Sequence, residues 1–288
     1  MRLAYIISAY KQPELLLRLV QRLDDEGTTF MVHVDRHAEP SVFERVLDGC
    51  GGMPNVHLLA RHRCRWGDFG HVRATLKGIA VLLERDVPFD HAILLTGQDY
   101  PITTNERIRG FLARHRGRSF MAHFPLPTTE WTDGGLPRIE RWHVRVRGRH
   151  LAVPARRRMP GGLRAFGGSS YWCLTREAVE YVHGFTTGTP RFVDFFRHVD
   201  VPDELFFQTI LMNSPLAGTV VGDDLRYIDW KDPDAGSPSV LGVDDLPALA
   251  ASGKLFARKF DLEIDAEVLD QIDRELLGRG RDRARIHG

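Results

Sequence analysis

The amino-acid sequence predicts an α/β fold, a mostly parallel central sheet with helices on both faces. Residues 3–9 form a nearly continuous apolar run, as expected of a strand covered on both faces. Between residues 3 and 123, short apolar runs alternate with stretches whose apolar residues recur at helical spacing, the order that builds parallel sheets. A chain of 288 residues, 43% hydrophobic and 27% charged, can bury a substantial core.

After the first strand, Pro13 suits the opening turn of a helix over residues 13–25. A second strand follows at 30–34, then a helix at 40–47 and a third strand at 56–60. Val72, Leu76, Ile79, Ala80 and Leu83 space a helix over 70–84. A strand at 91–96, a helix at 105–115 and a strand at 119–123 complete the regular half. Ligands of such sheets bind beyond the carboxyl ends of the strands, which directs attention to residues 8–11, 33–36, 63–69 and 96–100. The second half is less regular. A Pro/Thr/Gly-rich loop spans 125–135, a strand is expected over 139–146, and a basic loop covers 156–162. Residues 167–182 read as a glycine turn, a strand and a helix capped by Thr175. A helix at 204–213, short strands near 219–221 and 225–228, and a helix at 266–277 follow. No linker divides the chain, so a single domain is expected over 1–277, with a disordered tail at 278–288.

Charge is balanced, with 39 Lys and Arg against 38 Asp and Glu, so no global field favours nucleic acid or a membrane surface. Cys50, Cys64 and Cys173 form no CxxC pair, which points to a reducing compartment. The N-terminal apolar run is too short for a signal peptide, and no run approaches the ~20 apolar residues of a membrane span. The expectation is a cytoplasmic protein with no nucleic-acid partner and no membrane span.

Several constellations can carry chemistry. VPDELFF, residues 201–207, sets Asp203 and Glu204 after a proline at the start of a helix whose apolar spacing reads as amphipathic. Such acids either cap a helix or serve as a proton acceptor. His33 and Asp35 close a strand and suit a ribose hydroxyl or a base edge, although an Asx turn is the commoner use. Trp66 and Gly67, within RWGDFG, precede a long helix, and the glycines permit close backbone approach. Neither a P-loop nor a GxGxxG fingerprint is present. Gln98 and Asp99 follow a strand where sugar hydroxyls would lie. Glu140, Arg141 and Trp142, with Trp172, combine aromatic faces and polar anchors of the kind that recognise carbohydrate, unless the tryptophans are core. Arg258 and Lys259, between Phe256 and Phe260, form either a diphosphate clamp or a charge-protected strand edge. Asp232–Asp234 is an Asp-x-Asp in a late loop, and no His, Cys or Asp group has ligand spacing, so no metal site is expected. The arginine-rich stretch 138–164 reads as an anion-facing patch or a solvated loop.

Taken together, VHVDRH (32–37), RWGDFGHVRATL (65–76), ILLTGQDYPI (93–102), the Glu140-Arg141-Trp142 segment, GSSYWCLTREAVEYV (168–182), PDELFFQTILMNS (202–214), LRYIDW (225–230) and LFARKFD (255–261) resemble, in order, the core-2/I-branching β-1,6-N-acetylglucosaminyltransferase family, which includes peptide O-xylosyltransferases. The resemblance implies a GT-A type fold with a nucleotide-sugar half, 1–124, and an acceptor and catalytic half, 125–277. It implies inverting transfer from a UDP-sugar, GlcNAc favoured and xylose the alternative, to a glycan or small-molecule hydroxyl. Glu204 corresponds to the family's catalytic base, and its helix N-terminus would keep it ionised. Lys259, with Arg258, corresponds to a cation that replaces a divalent metal, so no cofactor is expected. The family's other cation falls near 237–240, where this chain reads Ser-Pro-Ser-Val. Ser8, His33, Asp35, Trp66, Gly67, Gln98 and Asp99 would face the donor. Glu140, Arg141, Trp142, Trp172 and Trp230 would face the acceptor. Without the anchor, stem and paired cysteines of the animal enzymes, the chain resembles a compact bacterial-type member. The competing reading is an inactive carbohydrate or nucleotide-sugar binder on the same scaffold.

Overall fold

The computed structural model describes residues 1–146, 149–231 and 236–278. Its centre is a seven-stranded sheet in the order Val220–Val221, Ser119–Met121, Trp172–Thr175, His91–Thr96, Leu3–Ala9, Thr28–Val34, Val56–Leu58. Strand Trp172–Thr175 runs antiparallel to both neighbours, and every other pairing in the sheet is parallel. Because this strand comes from the second half of the chain, both halves share one sheet.

Alternation along Leu3–Ala9 divides the core. Leu3, Tyr5, Ile7 and Ala9 face a cluster completed by Leu15, Leu16, Leu19 and Leu23 of helix Pro13–Leu23. Ala4 and Ile6 face the opposite cluster, formed with Val72, Ile79 and Leu82 of helix Gly70–Glu84. That helix comes so close that a Cβ on Gly78 would stand 2.8 Å from Ile6 Cγ2. The helix starts were legible. Pro13 and Pro40 open their helices, while Thr104 and Thr175 accept from the Arg107 and Ala178 amides.

The second half departs from expectation in three places. Residues 139–146 do not form one strand: a helical turn, Pro137–Glu140, leads into Trp142–Val146, which pairs antiparallel with Arg149–Val153. The helix expected over 204–213 is split. Pro202–Glu204 is a separate 3-10 turn, Leu205 breaks it at φ −133°, and the α-helix is Phe206–Met212. Nor is that helix amphipathic, because Phe206 through Leu211 are all buried. Finally, strands Arg226–Ile228, Phe256–Arg258 and Asp99–Pro101 form a second sheet that places Arg258 opposite Asp99. Asp232–Asp234 and the tail from 279 onward lie outside the described residues. Among those described, no helix is long and apolar enough to cross a membrane.

Candidate active site

A cleft of about 1020 Å³ opens at the carboxyl ends of strands Leu3–Ala9, Thr28–Val34 and His91–Thr96. Glu204, Ser8, His33, Asp35, Trp66, Gly67, Gln98, Trp230, Arg258 and Lys259 all line it.

One wall carries the acid. Glu204 Oε2 accepts from Arg138 Nη1 at 2.6 Å, and the two side chains are 30% and 28% exposed. Arg138 is itself stacked 3.9 Å over the Trp131 ring. Burial, and then the neighbouring Asp203 charge, push the Glu204 carboxyl up to about 7, while Arg138 opposes both. The restraining charge is therefore a guanidinium and not the end of the helix, which starts beyond Glu204. Asp203 Oδ2 accepts from Ser170 Oγ at 2.9 Å. The Glu204 carbonyl accepts from the Gly168 amide at 2.9 Å, and Val201 N–H reaches the Gly67 carbonyl at 3.3 Å. These bonds fasten the acidic turn to the glycine turn and to the RWGDFG loop. Gly67 takes φ +72° there, a conformation that favours glycine.

A second region is cationic. Lys259 donates to Ser237 Oγ at 3.2 Å and has no ion pair with a described carboxylate. Burial, Arg258 and Lys11 all push its pKa down, so cations crowd here and an anion would relieve them. Arg258 lies 4.6 Å over the Tyr171 ring and donates to Asp99 Oδ1 at 2.9 Å. Lys11 pairs with Asp261 at 2.6 Å. The segment near 237 offers a hydroxyl where the family resemblance implied a second cation, and Lys11 lines the same cleft.

At the strand ends, His33 Nε2 accepts from the His62 amide at 2.9 Å, which places the ring proton on Nδ1, 3.4 Å from Ser8 Oγ. Burial pushes His33 down to about 4, so the ring is neutral at physiological pH. Asp35 Oδ1 accepts from the His37 and Cys64 amides at 2.8 and 3.2 Å. The Asx turn is thus present on a side chain that also lines the cleft. Gln98 spends its amide on the protein, donating to the Phe260 carbonyl at 3.1 Å and accepting from Tyr10 at 3.4 Å. Trp66 and Trp230, 70% and 51% exposed, stand at the rim.

Five expected contacts lie elsewhere. Asp99 is fully buried behind the cleft, accepting from the Thr96 amide at 2.6 Å and from Arg258, so it positions a cation and does not meet a ligand. Trp172 is fully buried, its ring 5.5 Å from Phe207, because its strand sits inside the central sheet. Glu140, Arg141 and Trp142 are not among the lining residues. The Glu140 and Arg141 carbonyls accept from Arg157, whose guanidinium lies 4.5 Å over the Trp142 ring, and that ring packs 4.8 Å from His198. Sequence reasoning missed Arg138 and Trp131, and it reached Lys11 only as one of the strand-end residues 8–11. The only hint of Arg138 was the arginine-rich stretch that it opens.

Comparison with known proteins matches the sequence to one family. The Core-2/I-Branching enzyme family model matches residues 3–250. The chain is 27% identical over 297 residues to xylosyltransferase 1 of Rattus norvegicus, covering 96% of this chain and 36% of the relative. It is 29% identical over 301 residues to xylosyltransferase 2 of Homo sapiens, covering 96% and 34%. The chain thus spans about a third of the length of the curated relatives it matches. Among solved structures, 4-diphosphocytidyl-2C-methyl-D-erythritol synthase from Anaerococcus prevotii aligns at a TM-score of 0.35 with 10% identity over 66% of this chain and 75% of that one. That likeness is too slight to add to the sheet topology. With the family match covering most of its length, and with a mostly parallel α/β sheet that presents an acid and a cation cluster in one cleft, the chain belongs to the Core-2/I-Branching enzyme family.

Proposed function

We propose that the protein is an inverting glycosyltransferase that moves a sugar from a UDP-sugar to a hydroxyl acceptor. The observation that carries this reading is that Glu204, a carboxyl held near neutrality, shares one cleft with the crowded Lys259. A base must be ionised and yet basic at the working pH, which a value of about 7 provides. In the proposed reaction Glu204 takes the acceptor O–H proton as that oxygen attacks the anomeric carbon. The bond to the diphosphate breaks on the opposite face, which inverts the configuration. Negative charge then grows on the leaving UDP, where Lys259, Arg258 and Lys11 would stabilise it. Ser8, His33 and Asp35 would face the nucleoside at the strand ends. Trp66, Trp131 and Trp230 offer aromatic faces to the sugars.

The names of the similar proteins weigh toward UDP-xylose over UDP-GlcNAc as donor. A cation cluster that can neutralise the diphosphate supports transfer without a divalent metal at the phosphates. Incubation with each UDP-sugar and a panel of hydroxyl acceptors, read by mass spectrometry and NMR, tests the reading. The expected products are UDP and an intact glycoside of inverted configuration, at a rate that added magnesium or manganese does not raise. Retained configuration, release of sugar phosphate, or UDP-sugar binding with no turnover for any acceptor would each refute it.

A further inference from the structure

We propose that His143, His150 and Asp200 form a zinc site that clips the paired strands Trp142–Val146 and Arg149–Val153 to the segment leading into Asp203 and Glu204. None of the three residues lines the cleft, so the inference stands apart from the glycosyltransferase reading.

The three side chains come from two separate parts of the fold. His143 and His150 lie on the two paired strands, where His143 is opposite Ala152 and His150 opposite Arg145. Asp200 ends the turn after helix Pro190–Phe196, and its amide donates to the Arg138 carbonyl at 3.0 Å. One ligand atom from each residue lies within 4.8 Å of the others. His143 Nδ1 stands 3.2 Å from His150 Nε2, which stands 3.4 Å from Asp200 Oδ1. Zinc bonds of about 2.0–2.1 Å in a tetrahedron put neighbouring ligand atoms about 3.3–3.4 Å apart, whereas cis ligands of an octahedron at that bond length would be about 2.9–3.0 Å apart. The separations of 3.2 and 3.4 Å about His150 Nε2 lie closer to the tetrahedral value.

The outer contacts also prepare the site. His143 Nε2 lies 2.9 Å from the Pro137 carbonyl, so that nitrogen carries the proton and Nδ1 presents its lone pair. A backbone carbonyl holding the far nitrogen of a ligating histidine is the usual support of such ligands. Arg145, across from His150, donates to the Trp66 carbonyl. Two imidazoles and one carboxylate suit zinc over magnesium, which prefers oxygen, and they leave a fourth position for water. Pro137 and Arg138 are adjacent in sequence, so the His143–Pro137 contact and the Asp200–Arg138 contact tie the clip to the partner of Glu204.

The test uses the untagged full chain, stripped with chelator and dialysed. It is titrated with zinc in a calorimeter and with cobalt(II) under visible absorption, and thermal unfolding is followed with zinc or magnesium. We expect one zinc per chain, a tetrahedral cobalt band, and a rise in Tm with zinc but not with magnesium. His150→Ala and Asp200→Asn should each weaken zinc binding at least about tenfold and abolish the Tm rise. His150 is exposed on its strand, and Asp200→Asn keeps the side-chain shape, so at least one variant tests a folded chain. No zinc uptake by the wild type would overturn the proposal, leaving the triad a hydrogen-bonded cluster. Uptake of equal affinity in both variants would overturn it too, because the metal would then sit elsewhere.

Discussion

Replacing Arg138 with glutamine should move the acid limb of the pH–rate profile toward alkaline pH. Glu204 must be ionised to accept a proton, and burial with Asp203 holds its carboxyl near 7 against the pull of Arg138. The pair is joined at 2.6 Å with both side chains under a third exposed. At an effective dielectric of about 20, opposite charges about 4 Å apart attract by about 4 kcal/mol, and partial exposure and salt reduce that. A charge-assisted hydrogen bond of this kind contributes about 1.5–3 kcal/mol. One pKa unit corresponds to about 1.4 kcal/mol, so losing the guanidinium should raise Glu204 by about 1–2 units. At pH 7 the ionised fraction would fall from about one half to about 1–10%, lowering kcat/KM about 5- to 50-fold, with recovery to within a few-fold above pH 9.5. Initial rates of UDP release across pH 5–10, analysed as kcat/KM because that quantity reports the free enzyme, measure the shift. A loss of equal size at every pH, with the limb unmoved, would refute the electrostatic reasoning and leave Arg138 a purely geometric support.

Other expectations follow from the same contacts. The folded Glu204 carboxyl lies above its ordinary 4.5, so its contribution favours the fold below that value and is lost as pH rises through about 7. Glu204→Gln should therefore stabilise the fold at pH 8.5, by up to about 3 kcal/mol less the screening of a partly exposed group, and by little at pH 5, read as a Tm raised only at the higher pH. Equal shifts at both pH values would contradict this. Lys259→Ala should weaken UDP binding about tenfold or more in calorimetry, about 1.4 kcal/mol, whether or not magnesium is present. Unchanged affinity would remove Lys259 from the phosphate site. Trp172→Ala should cost about 3–5 kcal/mol of stability, because the ring is fully buried, and any folded protein should keep its acceptor KM. A selective rise in that KM, without a loss of stability, would restore the carbohydrate role.

Much of the first half was legible because strands Leu3–Ala9 and His91–Thr96 are buried almost throughout and helices Pro13–Leu23, Pro40–Cys50 and Asn105–Arg114 each have a local start signal. Residues 70–84 and 91–96 fall where their periodicity puts them. The second half was less legible because its short strands owe their existence to distant partners. Asp99–Pro101 pairs with Phe256–Arg258, and nothing in GQDYP announces that Arg258 will lie against Asp99. Asp99 therefore read as a sugar ligand when its carboxylate is consumed in the interior. Trp172 was open to two uses, carbohydrate platform or core, and its place inside the central sheet makes it core. Glu204 was found from its motif, but Arg138, 66 positions upstream, was not, since an ion pair between distant segments leaves no local pattern. The pairing of His143 and His150 with Asp200 was hidden for the same reason.

The most direct test of the account measures Glu204→Gln for both binding and turnover. If Glu204 is the proton acceptor, calorimetry should give UDP affinity within a few-fold of the wild type while kcat falls by about 10²–10⁴ at every pH. Turnover close to that of the wild type, with UDP bound equally well, would contradict the assignment of the base and with it the proposed mechanism.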